Sequence, residues 1–138
     1  MFAYVGASAA LLAGVFFAGA EAGRAQTAKR VFEIRTYTCY PDRLPALQTR
    51  FREHTIDIFN RHGMTSIGYW VPQDPPRSQD TLIYILAHPS REAAKQHWEE
   101  FGADPEWKKV QADSELSGKI VSHVDSVFAD PTDFSAIK

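Results

Sequence analysis

Nine residues from Val31 to Cys39, VFEIRTYTC, alternate so that Phe32, Ile34 and Thr36 point one way and Glu33, Arg35 and Tyr37 the other. A period of two is that of a strand. Tyr40-Pro41-Asp42 breaks the pattern, Asp42 is placed to cap a helix, and Pro45 falls in its first turn, where a missing N–H costs nothing. Leu44, Leu47, Phe51, Ile58 and His62 then recur at helical spacing, with Arg43, Arg50, Arg52, Glu53, Asp57 and Arg61 mostly on the outer side. This predicts one amphipathic helix of about five turns, closed by Gly63.

Met64 to Val71 reads as a second strand, with Ile67, Tyr69 and Val71 on one face and Ser66, Gly68 and Trp70 on the other. The proline-rich stretch Pro72 to Asp80 supports neither kind of ladder. Thr81 to His88 is apolar almost throughout, as a strand buried on both faces would be. Ser90 caps a second helix whose inner stripe is Ala93, Ala94, His97, Trp98 and Phe101, and Gly102 closes it. Asp104-Pro105 opens a shorter helix edged by Trp107, Val110 and Leu116. Gly118 leads into a fourth strand, Lys119 to Phe128, with Ile120, Ser122 and Val124 opposed to Val121, His123, Asp125 and Val127.

The order β-α-β-β-α-β predicts an α+β, ferredoxin-like antiparallel sheet with both helices on one face and strand order 4-1-3-2. Its other face should be wettable, yet the third strand is apolar on both sides. A second copy of the chain, related by two-fold symmetry, is the simplest cover, and a homodimer is expected.

Composition changes this picture only at the amino terminus. From Phe2 to Ala20 no side chain carries a charge, and Ala18-Gly19-Ala20 and Ala20-Glu21-Ala22 offer the small residues a signal peptidase requires. Residues 1–25 are therefore expected to be a signal peptide, with an uncleaved membrane anchor as the competing reading; residues 26–30 form a lead-in, 31–128 the domain and 129–138 a tail. A periplasmic or secreted protein follows, with no membrane association after cleavage. With 138 residues and a net charge of −2, the chain has one domain's length and no basic footprint for nucleic acid. A single cysteine, Cys39, allows no internal disulfide and reads as a small buried hydrophobe.

FEIRTY at 32–37, GYW at 68–70 and FGADPEWKK at 101–109, the last following a Trp in the preceding helix, together resemble the NIPSNAP domain over roughly residues 30–128. The resemblance implies a dimeric α/β barrel in which two ferredoxin-like sheets close face to face. It brings no settled chemistry: related folds include cofactor-free monooxygenases and haem-degrading enzymes, while NIPSNAP proteins are known for vesicle, mitochondrial and signalling associations. The family's arginine and tyrosine pattern falls on Arg35 and Tyr37, and its acidic-proline-tryptophan pattern on Asp104, Pro105 and Trp107. An export signal argues against an intracellular trafficking role.

No phosphate-binding glycine loop, H-E-x-x-H or cysteine pair is present, so neither a metal nor a cofactor is expected. Arg35, on an interior strand, must be paired or solvated in a cavity. One account is structural, an ion-pair network with Glu33 on the same face and Asp125 and His123 across the fourth strand. The other is a ligand cavity in which Arg35, Tyr37 and His123 orient an anionic or carbonyl-bearing molecule between Trp70, Trp98 and Trp107, with His97 beside it. The expected function is small-molecule binding between sheet and helices, extending to cofactor-independent oxygenase-like chemistry; the alternative is a non-catalytic, homo-oligomeric interaction protein.

Overall fold

The computed structural model describes residues 29–138. The expected leader and the first residues of the lead-in lie outside them. Strands β1 (Val31–Cys39), β2 (Thr65–Trp70), β3 (Thr81–His88) and β4 (Val121–Ala129) form one antiparallel sheet in the order β2-β3-β1-β4. This is the ferredoxin-like arrangement, with β1 inside as expected. Helices α1 (Leu44–Arg50) and α2 (Ile56–Arg61) are joined by a π-helical turn, Phe51–Thr55; α3 (Arg77–Asp80) is a single turn in the proline-rich loop, and α4 (Arg91–Ala103) and α5 (Pro105–Ser114) complete the helices.

Local chemistry explains most of the boundaries. Ser90 Oγ accepts from the Ala93 amide at 3.0 Å and Asp104 Oδ1 from the Glu106 amide at 2.8 Å, so both helices begin at the caps the sequence predicts. Gly63, at φ +75°, provides the left-handed residue that follows α2. Asp42 caps nothing: it sits at φ +62°, whereas a capping residue takes an extended conformation, and Arg43 precedes α1 without a side-chain cap. Gly102 does not close α4, which runs through it to Ala103.

Which side of the sheet each residue faces follows from register. Glu33, Arg35 and Tyr37 pair with Leu86, Tyr84 and Leu82 on β3 and with Phe128, Ser126 and Val124 on β4, and this is the helix-facing side. Phe32, Ile34, Ile83 and Ile85 face away. The side of β1 carrying two charges is thus turned into the protein and its more apolar side outward. Two irregularities shift the expected parity. A bulge between Ser66 and Gly68 leaves Ser66 on the face of Tyr69, their hydroxyls 2.7 Å apart, and places Ile67 beside Phe32, Ile34 and Ile85. A second, opposite Thr38 and Cys39, pairs His123 with Thr38 and Val121 with Cys39, so Val121 parts from His123 and joins Val124.

Leu47, Ile58, Phe59, Met64, Tyr84 and Leu86 are fully buried between helices and sheet. Edge-to-face contacts link Phe59 to Trp98 and Phe51 to Tyr37, Phe59 and Tyr69. Leu116, expected on the apolar edge of α5, is instead 86% exposed beyond the end of that helix. On the far face the tail after β4 returns, and Pro131, Ser135 and Ile137 share a hollow of about 220 Å³ with Phe32, Ile34, Ile67 and Ile85. Among the described residues no helix is long and apolar enough to cross a membrane.

Candidate functional site

Glu33 is the hub of the inward face of β1. Its carboxylate accepts from Arg35 Nη1 at 2.6 Å, Trp98 Nε1 at 2.7 Å, Ser126 Oγ at 2.7 Å and His88 Nε2 at 3.2 Å. Burial by itself would push this carboxyl up, but the four donors outweigh it and hold the group at about 2. Glu33 is therefore ionised, fully engaged and unsuited to act as a general base. Its partners span β1, β3, α4 and β4, which only the folded sheet brings together. The second nitrogen of the fully buried His88 lies 3.1 Å from His97 Nδ1, so one proton lies between the two rings, and burial with the adjacent His88 shifts the His97 pKa downward.

Of the residues the sequence offers as a ligand site, the structure gathers Arg35, Tyr37 and Trp98: the guanidinium lies 4.1 Å from the Trp98 ring and 5.5 Å from that of Tyr37. His97 belongs to the histidine pair behind them. His123 and Asp125 do not meet Arg35. They pair with Thr38 and Thr36 on the far face and bond each other there at 3.1 Å in solvent, because a strand's side chains alternate and Arg35 stands opposite Ser126. The ion pair with Glu33 is present; the one with Asp125 is not. Trp70 is half exposed at the β2 edge of the sheet, away from this network.

A cleft of about 340 Å³ opens between the sheet and the helices. Tyr37, Val121 and Val124 form its sheet side, Phe51, Thr55 and Phe59 one helical wall, and Phe101 and Trp107 the other. Of the residues the sequence offers, Tyr37 and Trp107 line it, whereas Trp98 and His97 do not. Both valines reach it because of the β4 bulge. The π turn matters equally: Thr55 Oγ1 donates to the Arg50 carbonyl five residues back at 3.1 Å, and both residues are buried on the cleft wall.

Arg50 is the residue that the hydrophobic pattern assigns to the outside of its helix and the structure assigns to the inside. Its side chain is 4% exposed, its guanidinium lies 5.2 Å from the Trp107 ring, and Nη1 donates to Ser114 Oγ and Glu115 Oε1, each at 3.3 Å. The available signal was its position three residues after Leu47, on the same helical face. Near the outer end of α4, Asp104 accepts from Arg61 at 2.8 Å and His62 at 2.7 Å, which holds its carboxyl well below the usual range. Cys39 is buried and its thiol is pushed up to about 11, chiefly by that burial, which leaves it unreactive. Among the described residues no group of three or more His, Cys, Asp or Glu is placed to hold a metal ion.

The NIPSNAP family model matches residues 32–136. None of the curated proteins matches the chain in sequence. Solved structures similar to it include a NIPSNAP family protein of unknown function from Agrobacterium tumefaciens, 20% identical, with a TM-score of 0.70 over 81% of this chain and 96% of that one. A NIPSNAP-like domain protein from Burkholderia xenovorans is 18% identical, with a TM-score of 0.66 over 78% of this chain and 90% of that one. A Streptomyces coelicolor monooxygenase in complex with nanaomycin D is 15% identical, with a TM-score of 0.51 over 76% and 89% of the two chains. At such identities the likeness is one of fold. The family match takes in all four strands but for the first residue of β1, and all of the helices, and the chain belongs to the NIPSNAP family.

Proposed function

We propose that this protein binds a small, flat, largely apolar molecule in the cleft between the inward face of the sheet and the helices. The observation that carries this is the cleft itself: about 340 Å³, within the size range of small-molecule sites, walled by Tyr37, Phe51, Phe59, Phe101 and Trp107. Cofactor-independent oxygenase-like chemistry is the catalytic form of the same reading, and the Streptomyces monooxygenase of this fold, solved with nanaomycin D, supports it as an analogy of fold. Val124→Trp, which fills the cleft from the sheet side, provides the test. Native mass spectrometry of purified wild type should show a retained small molecule, or calorimetry should show binding of 2-naphthol, and Val124→Trp should abolish both while melting as wild type does. Unchanged binding in a folded Val124→Trp would remove the cleft from consideration.

A second reading has its own observation. Trp70 and Val127, 49% and 59% exposed, lie on the face away from the helices, Trp70 beside Ile83 and Val127 beside Ile34, and Ile83 and Ile85 between them are only partly covered. A homodimer closed over that face fits a non-catalytic, homo-oligomeric role as readily as an enzyme. Export belongs to the same proposal: mature protein beginning between Glu21 and Gln26, soluble in the periplasm, is the expected result of an intact-mass measurement. A full-length, membrane-bound product would establish the anchor instead.

A further inference from the structure

We propose that Arg50 recognises an anionic group on the cleft's ligand, which is then a flat aromatic carboxylate that takes the place of Glu115 on the guanidinium. This rests on the reading of the cleft as a ligand site and adds the ligand's charge.

Two arginines reach the inward side of the protein, and they differ in whether they face the cleft. Arg35 donates to Glu33 at 2.6 Å, within a carboxylate site completed by three further donors. Its Nε, like that of Arg50, is buried without an acceptor among the described residues, but Arg35 does not line the cleft. Arg50 is more deeply buried, yet both of its hydrogen bonds run through Nη1 and both are 3.3 Å long, and its Nε is buried without an acceptor among the described residues. Charge-assisted N–H···O bonds ordinarily close to about 2.7–2.9 Å, and a buried guanidinium left short of partners is costly. A planar carboxylate matches the fork of a guanidinium and would engage Nε together with one Nη.

The present partner is placed to yield. Glu115 caps the end of α5, its side chain is 23% exposed, and Arg50 is the one side chain it bonds among the described residues. It can turn into solvent without leaving another group unpaired. Trp107, whose ring lies beside the Arg50 guanidinium and packs against Phe101 at 4.5 Å, supplies a flat wall next to the charge. Charge also selects which opening the anion uses. Arg50 borders a larger outer groove of about 650 Å³ between α1 and α5, but Glu53, Glu106 and Asp113 there outnumber Arg50 and Lys109. In the inner cleft Arg50 and Lys119 face Glu115 alone.

Calorimetric titration with 2-naphthoate and its uncharged counterpart 2-naphthamide tests this on the full chain. Wild type should bind the naphthoate at least about tenfold more tightly, the scale of one charge-assisted pair. Arg50→Met should erase that preference while still binding the amide. Glu115→Gln, which removes the competing carboxylate at a partly exposed position, should tighten the naphthoate severalfold and leave the amide unchanged, and it decides the matter if Arg50→Met fails to fold. A preference kept by folded Arg50→Met, or untouched by Glu115→Gln, overturns the role of Arg50 even if Val124→Trp blocks both probes. Failure of both probes to bind wild type overturns the cleft reading, and this proposal with it.

Discussion

The indole N–H of Trp98 on α4 donates to Glu33 on β1 at 2.7 Å, so a helix residue and a strand residue 65 positions apart share one buried carboxylate. With His88, Ser126 and Arg35 also donating, removal of the carboxylate leaves four groups short of a partner, whereas removal of Arg35 leaves the carboxylate three. The two halves of this ion pair should therefore differ in cost. Glu33→Gln, which removes the charge and turns an amide NH2 toward two of the four donors, is expected to lose about 3–5 kcal/mol of stability, and Arg35→Met, similar in length and apolar, no more than about 1–2 kcal/mol. Urea unfolding of the two variants decides it; equal losses would mean that the pair, rather than the carboxylate, organises the site.

The same carboxylate sets an acid dependence. Glu33 is lowered from 4.5 to about 2 in the folded protein, so its contribution is fully present above about pH 4.5 and is lost as pH falls toward 2. The shift is worth on the order of 3 kcal/mol. Asp104, also lowered by Arg61 and His62, acts with the same sign, so wild-type stability should fall steeply over this window and Glu33→Gln less so. Parallel pH profiles for the two proteins would exclude Glu33 as the source.

Ser90 stands at the start of α4, where its hydroxyl satisfies the Ala93 amide. Ser90→Ala should cost about 1 kcal/mol, read as a lower urea midpoint at unchanged slope, and Ser90→Asp should restore it. A neutral Ser90→Ala would show that tertiary packing alone holds this helix end.

Under the homodimer proposed above, the register identifies the disruptive position. Ile83 faces away from the helices and Tyr84 toward them. Ile83→Asp should give aggregated or unfolded protein by breaking the interface, while Tyr84→Asp should fail by breaking the core, where Tyr84 is fully buried. Closing two such faces would bury on the order of 2,000 Å². Light scattering of the wild type should give twice the chain mass. A monodisperse monomer would sink the dimer, with the tail then the cover of Phe32, Ile34 and Ile85.

The alternation in Val31 to Cys39, the stop at Gly63, the caps at Ser90 and Asp104 and the β-α-β-β-α-β order were all legible in the chain, because each rests on residues a few positions apart whose backbone preferences are local. Alternation also told which residues of β1 share a face, but not that the face with Glu33 and Arg35 is the buried one. That was decided by His88, Trp98 and Ser126, which reach Glu33 only once β3, α4 and β4 are assembled around it. Arg50 was missed for a related reason. A helical pattern assigns a lone arginine to water, and only the closure of α5 against α1 and the π turn, with Trp107, Ser114 and Glu115 brought alongside, puts its charge inside. His123, Asp125 and Val121 depended on one bulge and on strand parity, which a single extra residue reverses. Periodicity follows from short-range sterics, whereas the facing of a charge follows from partners distant in the chain, and the cleft with its arginine exists only at that second level.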